Sequence, residues 1–112
     1  SDDAAYFQRK VSADIADWSE RYPAVDVPEV TARVLDGYVG EGYGIAEPSV
    51  FALIAELARL EGLVLDPVYT GKAFAGMLEE IQQGRFSSCR DIVFMHTGGV
   101  FGLFPQREGF SW

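Results

Sequence analysis

The sequence predicts an α/β fold, with about three helices and two strands in 112 residues. Three observations predict it. Three segments space their apolar residues at the helical period, two short runs read as strands, and glycine and proline clusters separate these pieces. The same pattern sets a difficulty, because two strands do not make a stable sheet on their own. Several apolar faces also lack a counterpart to bury them. The chain therefore reads as one incomplete domain over residues 1–112, completed by oligomerisation or by a missing N-terminal part.

The first helix is expected over residues 4–19, where Phe7, Val11, Ile15 and Trp18 fall on one face. Pro23 and Pro28 then bracket an irregular acidic stretch that a helix interior would not tolerate. Val30 to Leu35 alternates weakly and is expected to be a short strand. The run Asp36-Gly37-Tyr38-Val39-Gly40-Glu41-Gly42-Tyr43-Gly44 places four glycines among nine residues and predicts a loop with unusual backbone angles.

Pro48 suits the first turn of a second helix, where its missing N–H costs nothing. Phe51, Ile54, Leu57 and Ala58 give that helix a buried face, and Gly62 is placed to cap its C-terminus. Leu63-Val64-Leu65 is a short apolar connection ended by Asp66-Pro67. A third helix is expected to start near Thr70 and run through Phe74, Met77, Leu78 and Ile81 to Gly84. Ile92-Val93-Phe94-Met95, within residues 91–96, reads as a buried strand ending in the turn Thr97-Gly98-Gly99. The aromatic tail, with Phe101, Phe104, Phe110 and Trp112, is expected to pack down on the rest.

Composition narrows the function classes. The net charge of −8 argues against binding nucleic acid or an anionic membrane surface. No apolar run is long enough to span a bilayer, and the opening Ser1-Asp2-Asp3 does not read as a signal peptide. Cys89 is the single cysteine, so no internal disulfide can form, and a cytoplasmic location is expected. One histidine, His96, and one cysteine make a metal site implausible, and no Ser-His-Asp set is evident. The acidic residues mostly occupy positions that a solvated helix face explains.

Three motifs carry potential chemistry. Leu65 to Ala73 leads an apolar run through Asp-Pro into a helix start, bringing backbone N–H groups and the Tyr69 and Thr70 hydroxyls around one point. That point suits an anion or a heteroaromatic nitrogen; the alternative is a Thr70 N-cap with Tyr69 in the core. His96-Thr97-Gly98-Gly99 closes a strand where ligands collect in open α/β sheets, or it is simply a tight turn around a hydrogen-bonded histidine. The loop from Gly40 to Gly44 lacks the lysine and spacing of a phosphate loop and reads instead as a device that aims Tyr43. Lys72 is expected to form a surface ion pair.

In this order, Tyr38 to Ile45, Glu61-Gly62, Leu65 to Ala73 and His96 to Gly99 resemble the last third of fold-type-II pyridoxal-phosphate enzymes. The branch they resemble is that of D-cysteine desulfhydrase and 1-aminocyclopropane-1-carboxylate deaminase. The resemblance covers about residues 30 to 104. It implies the C-terminal portion of a tryptophan-synthase-beta-like fold, the C-terminal segment of the large cofactor-binding domain.

By that resemblance Tyr43 and Tyr69 are the active-site tyrosines, Thr70 faces the pyridine nitrogen of pyridoxal phosphate, and Thr97, Gly98 and Gly99 line the ring. Deaminase-type members carry Glu and Leu at the positions of Thr70 and Thr97, whereas desulfhydrase-type members carry small hydroxyl residues. The implied reaction of an intact enzyme is α,β-elimination from a D-amino acid to pyruvate, ammonia and a thiol. The family's covalent lysine, phosphate loop and substrate-carboxylate groups lie in its N-terminal two-thirds, and Lys72 does not match that lysine. The chain is accordingly expected to be a fragment or truncated relative that neither binds the cofactor nor turns over substrate alone. The other expectation is a non-catalytic, dimeric binding or assembly module derived from the same family.

Overall fold

The computed structural model describes residues 3–111, which fall into two compact units divided between Gly37 and Tyr38. The first unit is built on helix α1, Ala4–Arg21. The Asp3 side chain caps it by accepting the Tyr6 N–H at 2.7 Å, as an extended acidic residue at that position should. The ion pairs Lys10–Asp14 and Arg21–Asp17 run along its solvent side one turn apart, each worth a few tenths of a kcal/mol, roughly. Its apolar stripe stays uncovered: no residue of α1 is buried, and Phe7, Val11 and Trp18 are exposed.

The second unit holds helix α2, Pro48–Glu61, and helix α3, Thr70–Gln82. Pro48 opens α2 and Gly62 ends it in the left-handed region at φ 68°, where a side chain would strain the backbone. The core is Val50, Ile54 and Leu65, with Leu57, Phe74, Phe94, Leu103 and Phe110 packed around them. Full burial of a side chain such as Ile54 stabilises by about 1.5–3 kcal/mol. Gly71 permits this close packing: a Cβ there would lie 2.6 Å from the Asp66 carbonyl oxygen and 2.8 Å from Ile54 Cδ1.

The two expected strands do not form. Among the described residues there is no strand, only an isolated bridge between Gly42 and Ile45. Residues 30–35 and 91–96 each lack a ladder partner, and a strand exists only by hydrogen bonding to a neighbour. Nor is the second segment buried. Phe94 turns inward onto Phe74, their ring centroids 5.1 Å apart, but Val93 and Met95 are 90% and 77% exposed.

The tail packs only in part. Two 3-10 turns, Val100–Leu103 and Arg107–Gly109, fold back so that Phe110 meets Phe51 edge to face at 5.0 Å. Phe101 and Phe104 remain exposed, and Trp112 lies outside the described residues. Among the described residues, no helix is long and apolar enough to cross a membrane.

Candidate functional site

The motifs of the second unit converge on the start of α3, and Asp66 organises them. Its side chain is fully buried, which would ordinarily disfavour a carboxylate. Four donors meet it: Thr70 N–H and the Thr70 hydroxyl reach Oδ1 at 2.9 and 2.6 Å, and the N–H groups of Val68 and Tyr69 reach Oδ2 at 2.7 and 2.8 Å. Burial pushes this carboxyl up, yet the Thr70 hydroxyl and the three backbone donors together outweigh it and hold the group below its ordinary value.

This corrects the expected anion point. The N–H groups of Val68, Tyr69 and Thr70 are taken by the Asp66 carboxylate and that of Gly71 by the Asp66 carbonyl at 2.8 Å, so these do not await a ligand. Thr70 is not the cap either; it is the first helical residue, and the chain's own carboxylate does the capping. Its hydroxyl also accepts the Asp66 N–H at 2.9 Å. One lone pair of that oxygen is therefore left for another partner, and its proton is committed to Asp66. Asp66 was legible only as a turn signal, although Asp followed by Pro does imply a side chain that gathers nearby N–H groups.

The glycine turn comes to the same carboxylate. A Cβ on Gly99 would lie 2.7 Å from Asp66 Oδ1, so only glycine fits there. Gly98 and Gly99 both have positive φ, at 96° and 91°, and the space beside Gly98 is open. His96 ties the turn down: Nδ1 accepts the Gly98 N–H at 3.1 Å, which leaves Nε2 to donate to the Val64 carbonyl at 2.8 Å. Thr97 is exposed and makes no hydrogen bond among the described residues.

The glycine-rich loop does aim Tyr43. Gly40, Gly42 and Gly44 take φ values of 71°, 152° and 72°, and the turn brings the Tyr43 hydroxyl 2.7 Å from that of Tyr69. The two rings meet edge to face with centroids 5.9 Å apart. Tyr69 is 53% exposed and Tyr43 79% exposed, so neither belongs to the core. The hydrogen bond to Tyr43 raises the Tyr69 phenol above its ordinary range, with burial and the nearby negative charge adding to it.

Lys72 departs from its expected ion pair. Its ammonium donates to the carbonyls of Val39 at 2.6 Å and Gly42 at 2.9 Å, on the loop that carries Tyr43. Beneath the loop, the Tyr38 ring lies over Gly76, where a Cβ would approach Tyr38 Cγ to 2.9 Å. The Tyr38 hydroxyl donates to Glu80 at 2.6 Å, and Arg85 pairs with the same oxygen. Glu80 is buried rather than part of a solvated face. Arg85 first and Tyr38 second hold its carboxyl low, while the bond to Glu80 pushes Tyr38 up to about 12.

The structure thus joins Tyr43 with Tyr69, and Thr70 with Gly99 through Asp66; Thr97 stands apart. The sequence matches the family described as "Pyridoxal-phosphate dependent enzyme" over residues 4–98. It is 42% identical over 103 residues to the Thermotoga maritima protein named "Putative 1-aminocyclopropane-1-carboxylate deaminase". The match covers 92% of this chain and 31% of that relative, so the chain spans about a third of the relative's length.

Proposed function

The chain belongs to the pyridoxal-phosphate-dependent enzyme family, and we propose that it supplies the substrate- and ring-facing wall of a D-cysteine desulfhydrase-like lyase. Family membership places it in a tryptophan-synthase-beta-like fold and makes pyridoxal phosphate the cofactor of the intact enzymes. The reaction we propose for the complete enzyme is α,β-elimination from a D-amino acid, giving pyruvate, ammonia and a thiol.

The residues present fit one side of a site for this cofactor and not the remainder. Two exposed phenol residues and an open glycine turn can face a flat polar ring, while Thr70, next to Tyr69 in the chain, is buried with one lone pair unused. Covalent attachment has no candidate here. Of the two lysines, Lys72 holds the Tyr43 loop and Lys10 pairs with Asp14 on α1.

What the chain's own groups can do is hold and pass a proton. The Tyr43–Tyr69 hydroxyl pair carries this reading, because a short phenol–phenol contact on an exposed wall is a group poised to orient a substrate or relay a proton. Thr70 supports the desulfhydrase branch by residue type, a small hydroxyl residue where deaminase-type members carry a carboxylate; its proton is given to Asp66, so it lacks the charge that would favour a protonated ring nitrogen and a stronger electron sink.

The test is to combine this chain with a lysine-bearing N-terminal portion from a relative and assay two substrates. Pyruvate from D-cysteine, abolished by Tyr69→Phe, is the expected result. Ammonia release from 1-aminocyclopropane-1-carboxylate without action on D-cysteine would move the protein to the deaminase branch.

A second reading has one observation in its favour. Val93, Met95 and Phe101 present apolar side chains that are at least three-quarters exposed, which fits a dimeric, non-catalytic module that covers them with a second copy. Size-exclusion chromatography with intact mass separates the two readings. A discrete dimer supports the module, and a monomer or aggregate rescued by an N-terminal portion supports the enzyme part.

A further inference from the structure

We propose that Lys72 is the positioning residue of the tyrosine pair: it fastens the loop carrying Tyr43 to the helix whose first turn carries Tyr69. The proposal rests on the reading of that pair as the proton-handling wall for its meaning in catalysis, but not for its geometry. Tyr69 is fixed by its place, since it immediately precedes α3 and its N–H is held by Asp66. Tyr43 has no such support. It stands on a loop where glycines at 40, 42 and 44 all take positive φ, and only one bridge, Gly42 to Ile45, closes its tip.

A loop of that kind has many accessible conformations, and glycine widens the choice. Something must select the one that sets the hydroxyls 2.7 Å apart. Lys72 sits on the first turn of α3, three residues past Tyr69. Its ammonium takes two loop carbonyls, Val39 and Gly42, one on each side of Gly40. Gly40 itself takes a positive φ of 71° and lies beside the ammonium, where a Cβ would be in ordinary contact at 4.0 Å from Lys72 Nζ. Two charge-assisted bonds from one rigid helix turn define where the loop tip lies. Tyr43 is the residue directly after Gly42, so fixing the Gly42 carbonyl fixes the direction in which Tyr43 leaves the loop.

This accounts for a lysine beside the site that the covalent chemistry does not use. An ordinary surface ion pair would leave the loop free. Lysine suits the task because a compact ammonium with three donors can serve two carbonyls from one point.

The experiment compares the full chain with Lys72→Met, Lys72→Arg and Tyr43→Phe, using tyrosine-labelled NMR to follow the Tyr69 phenol through its alkaline titration. Helix content by circular dichroism is monitored alongside. Wild type and Lys72→Arg should keep Tyr69 above the ordinary tyrosine range and retain ring-to-ring contacts with Tyr43. Lys72→Met and Tyr43→Phe should both lower the Tyr69 midpoint toward that range, with Lys72→Met also losing the ring contacts. If Tyr43→Phe lowers it and Lys72→Met does not, the proposal fails while the pair stands. If neither lowers it, the pair itself is absent and both readings fall. A measurement on the unmodified chain needs no variant: scalar coupling from Lys72 Nζ to the Val39 and Gly42 carbonyl carbons is expected, and its absence overturns the proposal.

Discussion

Asp66 and Thr70 exchange hydrogen bonds in both directions: the threonine hydroxyl donates to Asp66 Oδ1 at 2.6 Å, and Thr70 Oγ1 accepts the Asp66 N–H at 2.9 Å. Both residues are buried. This pair fixes the turn into α3, from which Tyr69 leaves toward solvent and against which Gly99 packs.

Removing the carboxylate should therefore cost more than removing the hydroxyl. Asp66→Ala strips the partner from three backbone N–H groups and one O–H in a dry place, and we expect a loss of about 3 kcal/mol or more. Thr70→Val should cost about 1–2 kcal/mol and Thr70→Ser much less, because serine keeps both bonds. Thr70→Glu should be worse than Thr70→Ser, since a second carboxylate would meet Asp66. Urea unfolding of each variant gives the order.

Both glycines of α3 are steric requirements. Gly71→Ala sets a methyl against the Asp66 carbonyl at 2.6 Å, and Gly76→Ala sets one against the Tyr38 ring at 2.9 Å. Overpacking of this kind typically costs about 1–3 kcal/mol. The Gly71 change should be the more damaging, because backbone cannot swing aside as a ring can. Midpoints of thermal unfolding check the ranking.

The pH dependence follows from the shifted groups. Asp66 and Glu80 are held below their ordinary values of 3.8 and 4.5, so their contribution is present above those values and is lost as pH falls through the depressed ones. Tyr38 is shifted the other way, to about 12 from 10.0, so its contribution is complete below 10.0 and disappears as pH rises toward about 12. Stability measured against pH should fall off at both ends. Glu80→Gln should flatten much of the alkaline loss, and a profile unchanged by that substitution would contradict the assignment.

Pyridoxal phosphate added to this chain at equimolar concentration and reduced with borohydride should leave Lys72 unlabelled, because its ammonium is held by two carbonyls. Peptide mapping decides it. Specific labelling of Lys72 would show that the lysine leaves the loop and is chemically available.

The exposed side chains of residues 93, 95 and 101 give a last contrast. Replacing Val93, Met95 and Phe101 with serine should shift the stability of the isolated chain by no more than about 0.5 kcal/mol each. The same changes should abolish assembly with an N-terminal portion, measured by co-purification. Intact assembly would mean that this face is covered by something else.

The three helices were legible because their signals are local. Helical spacing, Pro48 and Gly62 act within a few residues, and a helix closes its own hydrogen bonds. The glycine-rich loop was legible for a similar reason, since glycines at that density specify conformations other residues avoid. Much of the site was only half legible. Tyr43, Tyr69, Thr70 and Gly99 could be singled out as residue types in motifs, but not the partner each would find. Lys72 looked like a surface charge and Glu80 like one more solvated acid, because nothing adjacent in sequence reveals Val39, Gly42, Tyr38 or Arg85 as neighbours.

The strands mark the sharpest division. Residues 30–35 and 91–96 carry strand-like composition, yet a strand is a relationship between two segments, and neither finds its partner within these residues. By itself the sequence determined the helices, the loop and the family. Tertiary structure decided that Asp66, not Thr70, caps α3, and that Lys72 binds a loop. It alone placed the two tyrosine hydroxyls together, because contacts between residues 26 apart in the chain exist only once it has folded.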